Sequence, residues 1–189
     1  MVLKARNLKF VWLLLSFLGL SSCSDDVTSI YSNRAPVRCY FNVVEYTELL
    51  TVMGVPGQFA SIRGSSVKET ITITNNSSST SYNATALSKT FLYGLGGLIV
   101  GTGELTDRNG NFINYCYDLA CPICDANNRR LTLTNDGHAN CSHCGASFNM
   151  KQGGVNVKKP TSQTSGKLRG LYRYYIAFDG QTISVRNHE

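Results

Sequence analysis

An all-β fold is predicted by three features of the sequence: short apolar alternations, Gly- and Asn-rich turns between them, and very little helical periodicity. In residues 37–44 the apolar positions Val37, Cys39, Phe41 and Val43 fall on one face. A half-buried strand has this period of two, whereas an amphipathic helix repeats every 3.6 residues. Short strands separated by regular turns are typical of an antiparallel β-sandwich or barrel.

The middle of the chain continues this pattern. Strands are predicted at 98–102 and 112–119, with a turn at 108–111 between them. The polar run 75–81 is predicted to be a loop. Only residues 46–52 have a pattern compatible with a short helix.

A final hairpin is predicted near the C-terminus, with Asp179-Gly180 as its turn. The alternating positions are Tyr172, Tyr174, Ile176 and Phe178 on the first strand and Ile183 and Val185 on the second. The predicted β domain therefore extends over residues 37–189.

The N-terminus has the order of a secretory signal. Basic residues precede an apolar run at 10–20, which is too short to span a bilayer. Leu20-Ser21-Ser22-Cys23 then fits a lipobox, so residues 1–22 are predicted to be removed and Cys23 lipidated. The predicted partner is the lipid bilayer, because two or more acyl chains give lasting anchoring. An ordinary secretory signal, with Cys23 uninvolved, is the alternative.

Residues 23–36 are predicted to be an acidic and polar tether. Ser24-Asp25-Asp26 follow the lipobox and resemble the surface-export signal of lipoproteins in Bacteroidetes-type bacteria. That resemblance favours the outer membrane and the cell surface over a periplasm-facing location. The alternative is that these residues only begin a soluble, disordered segment.

The net charge and the sequence motifs exclude several classes of function. Beyond residue 22, fifteen basic and twelve acidic residues leave a net charge of only +3. The basic residues are scattered, which argues against a nucleic-acid partner. The glycines at 94–103 precede no helix pattern, so a phosphate-cradling loop is not predicted. No Ser/His/Asp constellation is present, and the chain is predicted not to be an enzyme.

A four-cysteine motif is the clearest chemical feature. Cys121-Pro122-Ile123-Cys124 and Cys141-Ser142-His143-Cys144 form C-x2-C-x16-C-x2-C, a spacing used by four-thiolate zinc sites. Gly145 can adopt the positive φ that such a turn requires. Two metal-binding loops are therefore predicted at 119–126 and 139–148. Disulfides within each C-x2-C are the alternative in an exported protein, but they close very small loops.

Two cysteines lie outside both the lipobox and the motif. Cys39 falls on an apolar strand face, which favours a buried free thiol. A disulfide between Cys39 and Cys116 remains the other interpretation, because a sequence gives no distance between them.

The second half of the chain resembles the cluster-binding part of Rieske domains. The resemblance rests on Gly97-Leu98-Ile99-Val100, on the segment from Tyr115 to Pro122, on the segment from Cys141 to Phe148, and on Gly170-Leu171-Tyr172-Arg173-Tyr174. The chain is most similar to Rieske-like lipoproteins of Bacteroidetes-type bacteria. This similarity implies a Rieske-type β-sandwich or barrel with a small metal-binding subdomain formed by two hairpin loops.

The chain departs from that family at the ligands. A Rieske cluster needs two His ligands on one iron. Here Cys144 replaces the histidine of the second hairpin, and Cys124 lies one residue beyond the position where the first hairpin would have its histidine. His143 is predicted to be a solvated loop residue or a donor outside the ligand set. Structural Zn²⁺ on Cys121, Cys124, Cys141 and Cys144 is therefore the first hypothesis. An electron-transfer domain with an all-Cys 2Fe–2S cluster or a mononuclear iron is the alternative.

Overall fold

Nearly all of the regular structure is β-strand in this computed structural model, which describes residues 31–161 and 169–187. The strands in these ranges are β1 (Val37–Asn42), β2 (Phe59–Ser65), β3 (Thr70–Thr74), β4 (Ser79–Asn83), β5 (Leu92–Tyr93), β6 (Leu98–Thr106), β7 (Phe112–Asp118), β8 (Thr132–Leu133), β9 (His138–Asn140), β10 (Ser147–Asn149), β11 (Val155–Lys158), β12 (Arg173–Phe178) and β13 (Thr182–Arg186). Helix α1 (Thr47–Leu50) lies where a short helix is predicted, and three-residue 3-10 helices occur at Val43–Glu45, Ser88–Thr90 and Met150–Gln152. The predicted all-β class is confirmed.

The strands form two antiparallel sheets. The larger has the order β4-β3-β2-β6-β7-β12-β13-β1-β5, and the smaller has the order β11-β10-β9-β8. The large sheet curls, because its edge strand β5 comes back to β2. At that meeting point the Tyr93 ring packs against Gly64, where an added Cβ would lie only 2.3 Å from a ring carbon. Glycine therefore allows the close approach of the Tyr93 ring to β2.

Strands β6 and β7 separate two hydrophobic cores. Val100 and Cys116 point into the first core, inside the curled sheet, while Ile99 and Tyr117 point into the second core, against the smaller sheet. Because both faces are buried, these strands carry apolar residues at consecutive positions. The two strands thus form the wall against which the cysteine-bearing loops pack.

Strand β1 follows its predicted alternation but ends two residues early. Val37, Cys39, Phe41 and Val43 are all buried, as predicted. At Asn42 the strand stops, because its side-chain oxygen accepts a hydrogen bond from the N–H of Val44 (3.1 Å) and begins a 3-10 turn. This is an N-cap of the usual kind.

The polar run 75–81 is only partly a loop, so that prediction is wrong for its second half. Strand β4 begins at Ser79 and pairs with β3. On the outer face hydroxyls bond across the pair, with Thr74 Oγ1 lying 2.7 Å from Ser79 Oγ. On the inner face the hydroxyls of Thr80 and Tyr82 donate to a buried carboxylate, while the Tyr82 ring packs against the first core. A strand of this composition lacks the apolar alternation by which strands are recognised.

That carboxylate belongs to Glu48 of α1, which is 2 % exposed. It accepts hydrogen bonds from Thr80 Oγ1, from Tyr82 Oη (2.6 Å) and from Ser78 Oγ (3.2 Å). Burial raises the pKa of Glu48, but the three hydroxyl donors together with its own backbone N–H outweigh burial, so the pKa lies below its ordinary value. The ionised side chain fastens α1 to the β3–β4 hairpin.

Glu48 should make stability depend on pH. Because its folded pKa lies below the unfolded value of about 4.3, its contribution is complete above that pH and is lost as pH falls through the folded pKa. Glu48→Gln should cost about 1–3 kcal/mol at pH 7 and less at pH 3. Urea unfolding of both proteins at the two pH values measures this. Metal release in acid affects both proteins alike, so an equal difference at pH 7 and pH 3 would contradict the assignment.

The residues just before β1 belong to the folded unit, although they fall within the predicted tether. The N–H of Ser32 donates to the carbonyl of Arg173 (2.7 Å), and Asn187 Nδ2 donates to the carbonyls of Ser32 (3.1 Å) and Ala35 (3.0 Å).

Across the described ranges, no helix has both the length and the apolar character needed to cross a membrane.

Candidate metal centre

The first pair of predicted ligands lies in a tight turn directly after β7. The N–H of Asp125 donates to the carbonyl of Cys121 (2.9 Å) and closes the turn. Inside the turn, the N–H groups of Ile123 and Cys124 donate to the sulfur of Cys121. Hydrogen bonds of this type stabilise a thiolate, and they orient its sulfur toward the side on which Cys124 also lies.

The second pair lies in an equivalent turn between β9 and β10. Here the N–H of Gly145 donates to the carbonyl of Cys141 (2.9 Å), and the N–H groups of His143 and Cys144 donate to the sulfur of Cys141. The residue after the second cysteine has positive φ in both turns, +49° at Asp125 and +74° at Gly145. Positive φ at Gly145 confirms the sequence prediction, and aspartate is among the side chains that tolerate it. The motif therefore folds as two copies of one turn.

The four sulfur atoms converge on one point. Cys121 Sγ lies 3.7 Å from Cys144 Sγ, and Cys124 Sγ lies 3.8 Å from Cys141 Sγ. All four lie within 4.8 Å of one another. A tetrahedron with metal–sulfur bonds of about 2.3 Å has edges of about 3.8 Å. These residues can hold a metal ion, and the four cysteines of the sequence motif do come together as predicted.

Burial makes the site unfavourable for bare thiolates. Cys121, Cys141 and Cys144 are buried, and Cys124 is partly exposed. Desolvation raises the pKa of Cys121, and it raises the pKa of Cys124 to about 11. At Cys141 desolvation also raises the pKa, but the N–H groups of its turn and the neighbouring sulfurs lower it by more. The pKa of Cys141 therefore lies below its ordinary value. A divalent cation at the centre would reverse this balance and release protons on binding.

A buried carboxylate just upstream fixes the base of the first turn. Asp118 is fully buried and accepts four hydrogen bonds. The donors are the N–H groups of Leu95 (2.6 Å), Gly96 (2.9 Å) and Ala120 (2.7 Å) and the hydroxyl of Tyr174 (2.7 Å). Since Ala120 directly precedes the first ligand, this network joins the glycine-rich segment 94–97, strand β12 and the metal turn. Sequence reasoning did not identify it.

A second contact holds the outer side of the first turn. Asp125 accepts a hydrogen bond from Arg34 Nε (2.9 Å) and from the Tyr172 hydroxyl (2.8 Å). The hydrogen bond from Arg34, and then that from Tyr172, lowers the pKa of Asp125. The segment before β1 and the segment before β12 are thereby tied to the residue that follows Cys124.

His143 lies outside the ligand set, as predicted. Its side chain is exposed, and only its backbone N–H reaches a ligand sulfur. Together with Ile123, Cys124 and Arg129 it lines a shallow cleft of about 400 Å³ beside the site. Cys124, the one partly exposed residue of the four, also lines this cleft.

Cys39 and Cys116, the cysteines outside both the lipobox and the motif, lie in the first core. Cys39 and Cys116 are both buried free thiols, and the Cys39 thiol donates to the carbonyl of Leu92 (3.0 Å). Desolvation raises the pKa of Cys39 to about 12 and that of Cys116 well above its usual value. Both thiols therefore stay protonated and pack as small apolar side chains.

Known proteins offer no further guide to this site, because no protein-family model, no curated protein and no solved structure matches the chain. The predicted lipidation residue, Cys23, lies outside the described residues. Interpretation therefore depends on the chemistry of the four thiols and on the sequence of the N-terminus.

Proposed function

We propose that this chain is a cell-envelope lipoprotein whose Rieske-like β domain holds one structural Zn²⁺ on Cys121, Cys124, Cys141 and Cys144. One observation carries the proposal. The closest sulfur pairs, 3.7 and 3.8 Å apart, have the separation of the edges of a single zinc–thiolate tetrahedron, about 3.8 Å.

A two-iron cluster fits the sulfur positions less well. In such a cluster each pair of thiolates belongs to a different iron, so sulfurs on opposite irons lie further apart than the edge of one tetrahedron. Here every sulfur lies within 4.8 Å of the others. Export adds support, because a lipobox signal implies unfolded translocation, whereas a cluster must be inserted into a folded protein.

The zinc proposed here has a structural role. Four protein ligands complete a tetrahedral zinc, and catalytic zinc sites instead keep one position open for water or substrate. The ligands come from two turns that are joined by only sixteen residues, and those residues include β8 and β9 of the smaller sheet. The metal would therefore hold this small sheet closed against β6 and β7.

Electron transfer through a mononuclear iron is the second candidate. The same tetrahedron suits iron on four thiolates, and Cys124, a partly exposed residue that lines the cleft, offers a route to the surface. Zinc has no redox chemistry, so the identity of the metal separates the two functions.

Metal content is the deciding experiment. Purified without oxygen, the domain should be colourless, contain about one zinc per chain, and give zinc–sulfur distances of about 2.3 Å by X-ray absorption. Anaerobic work matters because oxygen can destroy a cluster and let zinc replace it. A brown protein with about two iron and two sulfide per chain, or a coloured one with a single iron, would overturn the zinc proposal.

Membrane anchoring is tested separately at Cys23. Only a thiol accepts the diacylglycerol, so Cys23→Ser should abolish labelling with a palmitate analogue and leave a mis-sorted precursor. Replacing Asp25 and Asp26 by Ala should keep the label but lower accessibility to external protease. Equal labelling of wild type and Cys23→Ser would refute the anchor, and unchanged protease accessibility would refute the export signal.

A further inference from the structure

A polar cleft of about 400 Å³ lies between the outer face of β2 and β3 and the segment that runs from the first metal turn into β8. Among the residues that line it are Ser61, Arg63, Thr74, Asn75, Arg130 and Thr132. Hydroxyl, amide and guanidinium groups dominate this lining. No carboxylate lines the cleft in the described part of the chain.

Arg130 is held in place by the hydrogen-bond network around Asp118. Its Nε donates to the carbonyl of Gly96 (2.8 Å), while the N–H of Gly96 donates to the Asp118 carboxylate (2.9 Å). The backbone that receives Arg130 is therefore itself fixed by a buried group. One Nε–H is used in this contact, and the terminal N–H groups of the guanidinium stay available to a ligand.

Arg63 is positioned by the neighbouring glycine. A Cβ at Gly97 would lie 3.2 Å from Cγ of Arg63, so the aliphatic part of this side chain packs directly over the glycine. Arg130 therefore contacts Gly96 and Arg63 contacts Gly97, so the two arginines line the cleft beside consecutive glycines. An added Cβ at Gly97 would also lie 2.7 Å from the Ile62 carbonyl oxygen, so this close approach of β2 requires glycine.

Neither guanidinium is neutralised by the protein. Within residues 31–161 and 169–187, the ion pairs are Arg34–Asp125, Lys89–Glu69, His138–Asp136 and Lys151–Glu104. Two like charges held in one cleft repel each other, and a bound anion would relieve that repulsion. The planar donors of arginine match the paired oxygens of phosphate and carboxylate groups.

We propose that the cleft formed by Arg63 and Arg130 binds a small, hydroxyl-bearing oxyanion. Its phosphate or carboxylate contacts the two guanidinium groups, and its hydroxyls contact side chains such as Thr132 and Asn135, which also line the cleft. This ligand site is separate from the four thiols and does not depend on which metal they hold. It adds a binding function to the proposed structural zinc.

Isothermal titration of the whole purified domain at low ionic strength tests the proposal, with glucose 6-phosphate, glucuronate and uncharged glucose as probes. Both anions should bind at least about tenfold more tightly than glucose. Arg63→Gln and Arg130→Gln should each weaken anion binding about tenfold or more, since a hydrogen bond to a charged group contributes that much. Arg108→Gln, an equal charge change in the exposed turn at the other end of β6, should leave binding unchanged.

Zinc content and melting temperature of each variant show whether the fold is intact. Arg63 makes no hydrogen bond to the 94–97 backbone, so its variant should remain folded even if Arg130→Gln does not. Equal binding of glucose and the two anions, or equal losses in all three variants, would overturn the proposal. Binding to phosphatidylglycerol vesicles without binding to the soluble anions would overturn it as well, because the cleft would then recognise a lipid surface and not a small soluble anion.

Discussion

Replacing Cys124 with alanine should cost at least about 4 kcal/mol of stability and lower the melting temperature by roughly 8–16 °C. Cys124 is the best ligand to change because it is partly exposed, so truncating it removes little packing. Most of the loss should therefore come from the missing metal. Removal of the metal from wild-type protein by a chelator should produce a similar decrease.

The size of this effect follows from linkage between metal binding and folding. Zinc contributes about 10–16 kcal/mol to the folding of small zinc peptides, which are unfolded without it. This domain has two hydrophobic cores, and the first contains none of the ligand cysteines. Loss of the metal should therefore loosen the smaller sheet and leave the curled sheet folded, so the cost is only part of the peptide value.

Two matched variants separate metal loss from other causes. His143→Ala removes an exposed side chain within the second turn and should change neither zinc content nor melting temperature measurably. Cys39→Ala removes a fully buried thiol from the first core, so it should lower stability through a cavity while zinc content stays at one. The melting temperature of all three variants is measured with and without a chelator. A chelator-sensitive Cys124→Ala protein, or a large loss in His143→Ala, would show that the ligand set is wrong.

Local chemistry explains why strands such as β1 and the cluster of four cysteines could be predicted. Alternation in β1 reflects burial of one face, and every predicted inward position there is buried. The C-x2-C turn is equally local, because its hydrogen bonds join residues no more than four apart. In both cases the residues that determine the structure are close neighbours in the chain.

Long-range contacts explain most of what could not be predicted. Asp118 meets Tyr174, which is 56 residues away, and Asp125 meets Arg34, which is 91 residues away. No local pattern encodes these pairs. One clue was available for Asp118, since a charged residue that directly follows Tyr115-Cys116-Tyr117, three residues before Cys121, needs a partner when buried.

Strand β4 was missed for a related reason. Its inward residues face Glu48, whose charge is accommodated by hydroxyl donors, so the strand has no apolar face. The order of the nine strands was likewise not predicted, because it depends on pairing between distant segments such as β1 and β13.

Replacing Asp118 with asparagine should destabilise the domain by at least about 3 kcal/mol, or roughly 6–12 °C in melting temperature. An ionised carboxylate only accepts hydrogen bonds, and here it meets four donors. The amide keeps the shape but turns one accepting oxygen into a donor. At least one buried N–H or O–H then loses its partner and faces another donor.

The same substitution should weaken metal retention, which a packing defect elsewhere would not do. Asp118 fixes the N–H of Ala120, the residue before Cys121, so its loss frees the base of the first metal turn. Competition with a chromogenic chelator should show faster zinc release from Asp118→Asn than from wild type. Unchanged release would mean that the carboxylate stabilises the fold without positioning the turn.

Tyr174→Phe is the matched control, because it removes one of the four donors and leaves the carboxylate in place. Its cost should be about 1.5–3 kcal/mol, the contribution of one hydrogen bond to a charged group. Tyr174 contacts the carboxylate from β12, not from the metal turn, so zinc release should stay near the wild-type rate. Since both residues act through one contact, the double variant should cost less than the sum of the two single losses. Additive losses would mean that Asp118 acts through its backbone donors alone. Those donors lie just before β6 and just after β7, next to the first cysteine turn.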